Sequence, residues 1–119
     1  MQEYLKNFRA LQISKAELQQ AIGEDLYNVE CKKPCFLKCS HVIGAIQLYR
    51  SHTITLKTLV DWVNVVWFTE LFAFTDEETD SIVSVLEVLE TMDEDEVVVS
   101  DAELDGMVAA LTSNIEYIA

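Results

Sequence analysis

From Thr55 to Phe72 the chain carries a run of helical length with apolar residues on every side. Leu56, Leu59, Val60, Val63, Val66, Trp67 and Leu71 make one face, and Trp62, Val65 and Phe68 occupy the other. A helix without a polar side must be enclosed by other elements, so any fold open to this chain wraps around this segment. Its β-branched residues also suit a strand, but the length and the lack of strict alternation favour helix. Lys57, Asp61, Asn64 and Glu70 interrupt the stretch Leu56–Phe74, which makes it too polar to span a bilayer.

The remaining elements follow from capping signals and periodicity. A capping box pairs a Ser or Thr at the helix start with a Glu three residues on, each side chain satisfying the other residue's amide. Ser14–Glu17 predicts a short helix stopped at Gly23, Thr75–Glu78 a second, and Ser100–Glu103 a third running nearly to the C-terminus. Apolar residues at helical spacing follow the last two: Ile82, Val85, Leu86 and Leu89, then Leu104, Val108, Leu111 and Ile115. Tyr4, Leu5, Phe8 and Leu11 predict an N-terminal helix, and Val42, Ile43, Ile46 and Tyr49 another from Cys39 to Ser51. Val97–Val99 reads as a short extended connector. The expected fold is all-α, a single-domain helical bundle of five to six helices over residues 1–119. A chain of this length that is half apolar, with one Pro and three Gly, is able to bury such a core.

Charge divides the chain. All eight Lys and Arg lie in residues 1–57 beside five acids, whereas residues 58–119 hold 16 acids and no Lys or Arg. With a net charge of −13, direct binding to nucleic acid phosphates is excluded as a function, and the acidic half reads either as a solvated face or as a surface aimed at a basic partner. The opening MQEYLKNFR lacks the basic and apolar regions of a secretory leader. An odd cysteine count fits a reducing compartment better than a disulfide framework. The chain is expected to be cytoplasmic.

Site chemistry is mostly absent from the pattern. Cys31, Cys35 and Cys39, with His41 close by, offer thiolates and an imidazole, but Pro34 breaks the helix that would align them and paired knuckles are lacking. Small buried residues are the expected identity of these cysteines, with no metal. Placing Asp93 first in a calcium loop puts Val98 where Gly is needed and Leu104 where Glu is needed, so that motif fails. Gly23, Gly44 and Gly106 are too dispersed for a phosphate loop, and no nucleophile motif stands out. No enzyme and no cofactor are expected. Trp62 and Trp67 read as core residues, or one of them as an aromatic anchor at an interface; five residues apart, they face different ways.

Three segments carry a resemblance: ITLKTLVDWVNVVWF (Ile54–Phe68), TDEETDSIVSVLEVLETMDEDE (Thr75–Glu96) and SDAELDGMVAAL (Ser100–Leu111). In order and style the chain resembles the small acidic helical immunity proteins encoded beside bacterial polymorphic and contact-dependent growth inhibition toxins. No functional residue is carried over from that likeness. It implies an antitoxin that binds a cognate toxin, expected to be a basic nuclease domain, as a monomer when free that forms a 1:1 complex. The contacts are expected on Asp76, Glu77, Glu78 and Asp80 and on Asp93, Glu94, Asp95 and Glu96. Two alternatives stay open: a nucleic-acid mimic that inhibits a nuclease or DNA-binding protein, and an adaptor bundle that buries the Thr55–Phe72 helix in a homodimer.

Overall fold

The structure, a computed structural model, describes residues 2–93 and 99–118. In chain order these form α1 (Gln2–Arg9), α2 (Lys15–Ile22), β1 (Cys35–Leu37), α3 (Cys39–Arg50), α4 (Leu56–Phe68), β2 (Phe72–Phe74), α5 (Thr79–Glu90), a 3-10 turn (Thr91–Asp93) and α6 (Asp101–Ser113). The chain is mostly α-helical, as its pattern predicts, with one small parallel sheet that the pattern does not predict.

The apolar helix is the centre, although it is not apolar on every side as expected: Lys57, Asp61 and Asn64 form one edge that reaches solvent. Leu59, Val60, Trp62, Val63, Val65 and Val66 of α4 are buried, and α1, α2, α3, α5 and β2 all touch it. Trp62 is completely enclosed, and its indole N–H donates to the Arg9 carbonyl at 3.2 Å. That carbonyl ends α1, where an intrahelical partner is lacking, so one bond satisfies two groups that burial would otherwise leave costly.

α4 stops at Phe68, four residues before the expected end. Thr69, buried, turns its hydroxyl back to donate to the Val65 carbonyl (2.6 Å), and the Thr69 Oγ1 accepts the Leu71 amide (3.3 Å). The helix end is thereby satisfied, and the chain leaves extended at Thr69 (φ −115°, ψ 164°). Phe72–Phe74 then pairs with Cys35–Leu37 in register Cys35↔Phe72, Phe36↔Ala73 and Leu37↔Phe74, the parallel connection running through α3 and α4. Cys35, Leu37 and Phe72 point into the core, and Phe72 meets Phe8 of α1 at 6.1 Å between ring centroids.

Two capping boxes form as expected, at Ser14–Glu17 and Ser100–Glu103, and Gly23 closes α2 with φ 77°, a conformation that glycine adopts without strain. Thr55 caps α4 through the Thr58 amide. Leu5 and Phe8 are buried on α1, but Tyr4 is exposed, and α1 ends before Leu11, which takes φ 60°. On α6 the buried stripe is Leu104, Met107, Ala110 and Leu111 rather than the expected set. Val108 is half-buried and Ile115 exposed, because Asn114 (φ 52°) breaks the helix before Ile115 can continue the stripe. Of the Val97–Val99 connector, Val97 and Val98 lie outside the described residues; Val99 is half-buried. The cysteines divide between a loop, β1 and the start of α3, so they do not share a helix, and Cys31 is only half-buried.

Trp62→Ala is expected to destabilise the fold by about 4 kcal/mol, the range for a large aromatic removed from a core. Trp62→Phe keeps most of the volume but orphans the Arg9 carbonyl, and is expected to cost about 2 kcal/mol. Urea unfolding followed by far-UV circular dichroism reads both; equal stability of Trp62→Phe and the parent would remove the hydrogen bond from this account.

Candidate functional site: an acidic turn tied to two helices

The sequence predicts that Thr75 caps a helix whose first turn holds Asp76, Glu77, Glu78 and Asp80. The structure corrects this. Residues 76–78 form a turn, α5 begins at Thr79, and of the four acids only Asp80 lies in its first turn. The reason is the destination of the Glu78 carboxylate. It does not cap its own helix but accepts the Cys39 amide at 3.0 Å, at the N-terminus of α3. Lys38 precedes α3 and its side chain has no acceptor, so this N-terminus takes its partners from elsewhere. Glu78 supplies one, and the His41 Nδ1 supplies another by accepting the Lys38 amide at 2.9 Å. The helix dipole favours an anion at that place.

A second tie runs to α6. Ser81, buried at the start of α5, donates to the Asn114 Oδ1 (2.7 Å), lies 3.2 Å from the Cys39 Sγ, and bonds the Glu78 carbonyl (2.9 Å). The Asn114 amide in turn donates to the Glu77 carbonyl at 2.9 Å. Asn114 closes α6, so the turn 75–78 is held to the start of α3 and the end of α6 together.

The ionisations follow from these contacts. The Cys39 amide bond holds the Glu78 carboxyl below its ordinary range, with Lys38 and Thr75 adding smaller effects in the same direction. Burial pushes the Cys39 thiol up, and burial followed by Arg9 and Lys38 pushes the His41 imidazole down. A general acid needs a carboxyl held above its usual range, opposite to the shift at Glu78. Among the described residues, no group of three His, Cys, Asp or Glu is placed to hold a metal ion.

Asp76, Glu77 and Asp80 are exposed, while Glu78 is half-buried and engaged with α3. From the exposed Asp80, the outer face of α5 passes the half-buried Ser84 to the exposed Glu87, at helical spacing. The Tyr117 amide donates to the Ser84 Oγ (2.9 Å), which ties the C-terminal tail, with its exposed Glu116, to α5. Glu87 was legible as the seven-residue repeat of Asp80; Glu116 arrives through the fold of the C-terminal tail and had no sequence signal. Among the described residues the acids in ion pairs are Asp105, with Arg50 (2.5 Å), and Asp61, with Lys57 (2.9 Å). The acids from Asp76 to Glu87 therefore make no ion pair among the described residues, with Lys38 the cation that acts on the turn through Glu78.

Of the second expected cluster, only the backbone of Asp93 lies among the described residues. Asp93 ends the 3-10 turn after α5, and Glu94, Asp95 and Glu96 lie outside the described residues. Twelve residues of α5, about 18 Å of helix, separate the two ends. The tryptophans divide as well. Trp62 is core, whereas Trp67 is half-buried and stacks on Phe68 at 4.6 Å, with Phe68 47% exposed beside the exposed Glu70.

Comparison with protein-family models, curated proteins and solved structures finds no match to this chain. Among the described residues, no helix is long and apolar enough to cross a membrane.

Glu78→Ala is expected to cost about 1 kcal/mol at neutral pH, by analogy with loss of a helix cap. Because the folded-state pKa of Glu78 lies below its unfolded value, its contribution is complete above the ordinary Glu range and is lost as pH falls through the folded pKa. The parent and Glu78→Gln should therefore converge in stability toward low pH. A constant difference down to pH of about 2, below the ordinary Glu range, would contradict the assigned ionisation.

Proposed function

We propose that this chain is an immunity protein, which binds and neutralises a cognate bacterial toxin domain of basic surface in the cytoplasm. One observation carries the reading: Asp76 and Glu77, on a turn pinned to α3 and α6, and Asp80 and Glu87 on α5 form an exposed acidic ridge, none of them in an ion pair among the described residues. Solubility does not require unpaired like charges to be concentrated on a rigid scaffold, and a preformed charged surface speeds encounter with an opposite one. The resemblance in sequence order to immunity proteins supplies the partner class. A nuclease toxin is basic where it holds phosphate, and an acidic ridge competes for that surface without performing chemistry. Phe68, exposed and stacked on Trp67, is the kind of aromatic side chain that anchors such a complex once formed.

Co-expression with the C-terminal domain encoded immediately upstream is the direct test; growth and a co-eluting complex are expected, and toxicity or a harmless neighbour without a complex overturns the reading. Within a complex, Asp76→Lys, Glu77→Lys and Asp80→Lys together are expected to slow association at least tenfold at low salt and to flatten its salt dependence. Phe68→Ala is expected to act on dissociation instead, raising its rate tenfold or more. Stopped-flow kinetics separates the two, and unchanged association in the triple variant removes the ridge from the mechanism.

A further inference from the structure

The cations of this chain are gathered as deliberately as its acids. Gln2, Lys6 and Arg9 share one face of α1, and that face is tied to the strand segment. The Gln2 Nε2 donates to the Lys33 carbonyl (2.5 Å) and the Arg9 Nη1 donates to the Phe36 carbonyl (2.8 Å). Lys32, Lys33 and Lys38 are exposed on the segment itself, so five of the eight cations surround β1. In their midst Phe36 points outward and is 52% exposed, although β1 buries Cys35 and Leu37 on its other face. An exposed phenylalanine ringed by cations costs solubility and adds nothing to the core.

The acidic turn lies directly beside this patch. The register ends at Leu37↔Phe74, so Lys38 and Thr75 are the residues that leave the two paired strands at the same end, and the Cys39 amide bonds Glu78. Asp76 and Glu77 are the next residues and are exposed. Two patches of opposite sign, side by side, are exchanged by a two-fold rotation between them, which is the condition for an isologous contact. We propose that a second copy of this chain docks here, in a two-fold dimer that sets Lys33 and Lys38 of each copy against Asp76 and Glu77 of the other and covers Phe36. Polyanions are disfavoured at the same patch, since the adjoining acids and the net charge of −13 repel phosphate. The pairing does not depend on the immunity reading, and a basic partner that takes Asp76 and Glu77 displaces it.

Net charge gives the contact a signature. Near 0.01 M salt the screening length is about 30 Å, so the whole charge of each copy acts and the copies repel. At about 0.15 M it falls to about 8 Å and the groups in contact decide; at about 1 M it is about 3 Å and the ion pairs themselves weaken. Sedimentation velocity of the full chain is expected to show association that peaks at intermediate salt, with a species of twice the 13.5 kDa monomer mass. Lys33→Glu with Lys38→Glu, and separately Asp76→Lys with Glu77→Lys, should each raise the dimer dissociation constant at least tenfold. Mixed together, the two variants should pair with each other, because every contact is then complementary. Phe36→Ser should weaken the dimer while leaving the salt profile in place. Circular dichroism confirms that the variants fold. A parent that is monomeric at every salt, a dimer indifferent to the reversals, or variants that fail to pair when mixed would each overturn the proposal. So would a labelled single-stranded RNA that binds the parent and not the Lys33→Glu, Lys38→Glu variant.

Discussion

α4 buries Leu59, Val60, Trp62, Val63, Val65 and Val66 and leaves one edge, Lys57, Asp61 and Asn64, toward water, and the rest of the molecule is arranged around its buried sides. The short β1–β2 pair fills one of those sides, bringing Cys35, Leu37 and Phe72 against Phe8. Trp62 sits where α1 and α4 meet and satisfies the open end of α1 with its indole N–H. Burying the largest side chain of the core is compatible with stability because its one polar atom has a partner.

Around that core, a small polar knot fixes the surface. Glu78, Cys39, Ser81 and Asn114 join the N-termini of α3 and α5 to the C-terminus of α6, and the Glu78 carboxylate satisfies the Cys39 amide that α3 leaves without an intrahelical partner. The Cys39 amide bond sets the direction of the Glu78 ionisation, and the bonds together hold the acidic turn in one geometry. Rigid placement matters for a charged surface, since repelling carboxylates on a free loop would spread apart and dilute their field.

The knot also sets the two charge patches side by side. The basic segment precedes α3 and the acidic turn precedes α5, far apart in the chain but adjacent in space through the pairing of Leu37 with Phe74. A surface with both signs in contact presents one face to a basic partner and another to an acidic one. The proposed self-association and the proposed capture of a basic protein draw on the same carboxylates, Asp76 and Glu77, so each limits the other.

Local signals were enough for most of the fold. The boxes at Ser14 and Ser100, the cap at Thr55, the stop at Gly23 and the enclosed α4 are short-range matters of hydrogen bonding and periodicity, and the chain alone determined them. The exposed acids at Asp76, Glu77 and Asp80 were legible for the same reason, because unpaired charge in a chain half without cations has to face water. Tertiary structure decided the rest. Thr75–Glu78 has the pattern of a capping box, but Glu78 reaches a helix nearly forty residues away in the chain, and local spacing carries no trace of that partner. Thr69 ends α4 by a hydroxyl bond that any helical threonine is free to make, and only the place waiting beside β1 favours the extended exit. The division of Trp62 from Trp67, the arrival of Glu116 beside Ser84 and the meeting of the two charge patches are long-range contacts. They depend on which helix ends are left unsatisfied once α4 is enclosed, and that is settled only when the whole chain has packed.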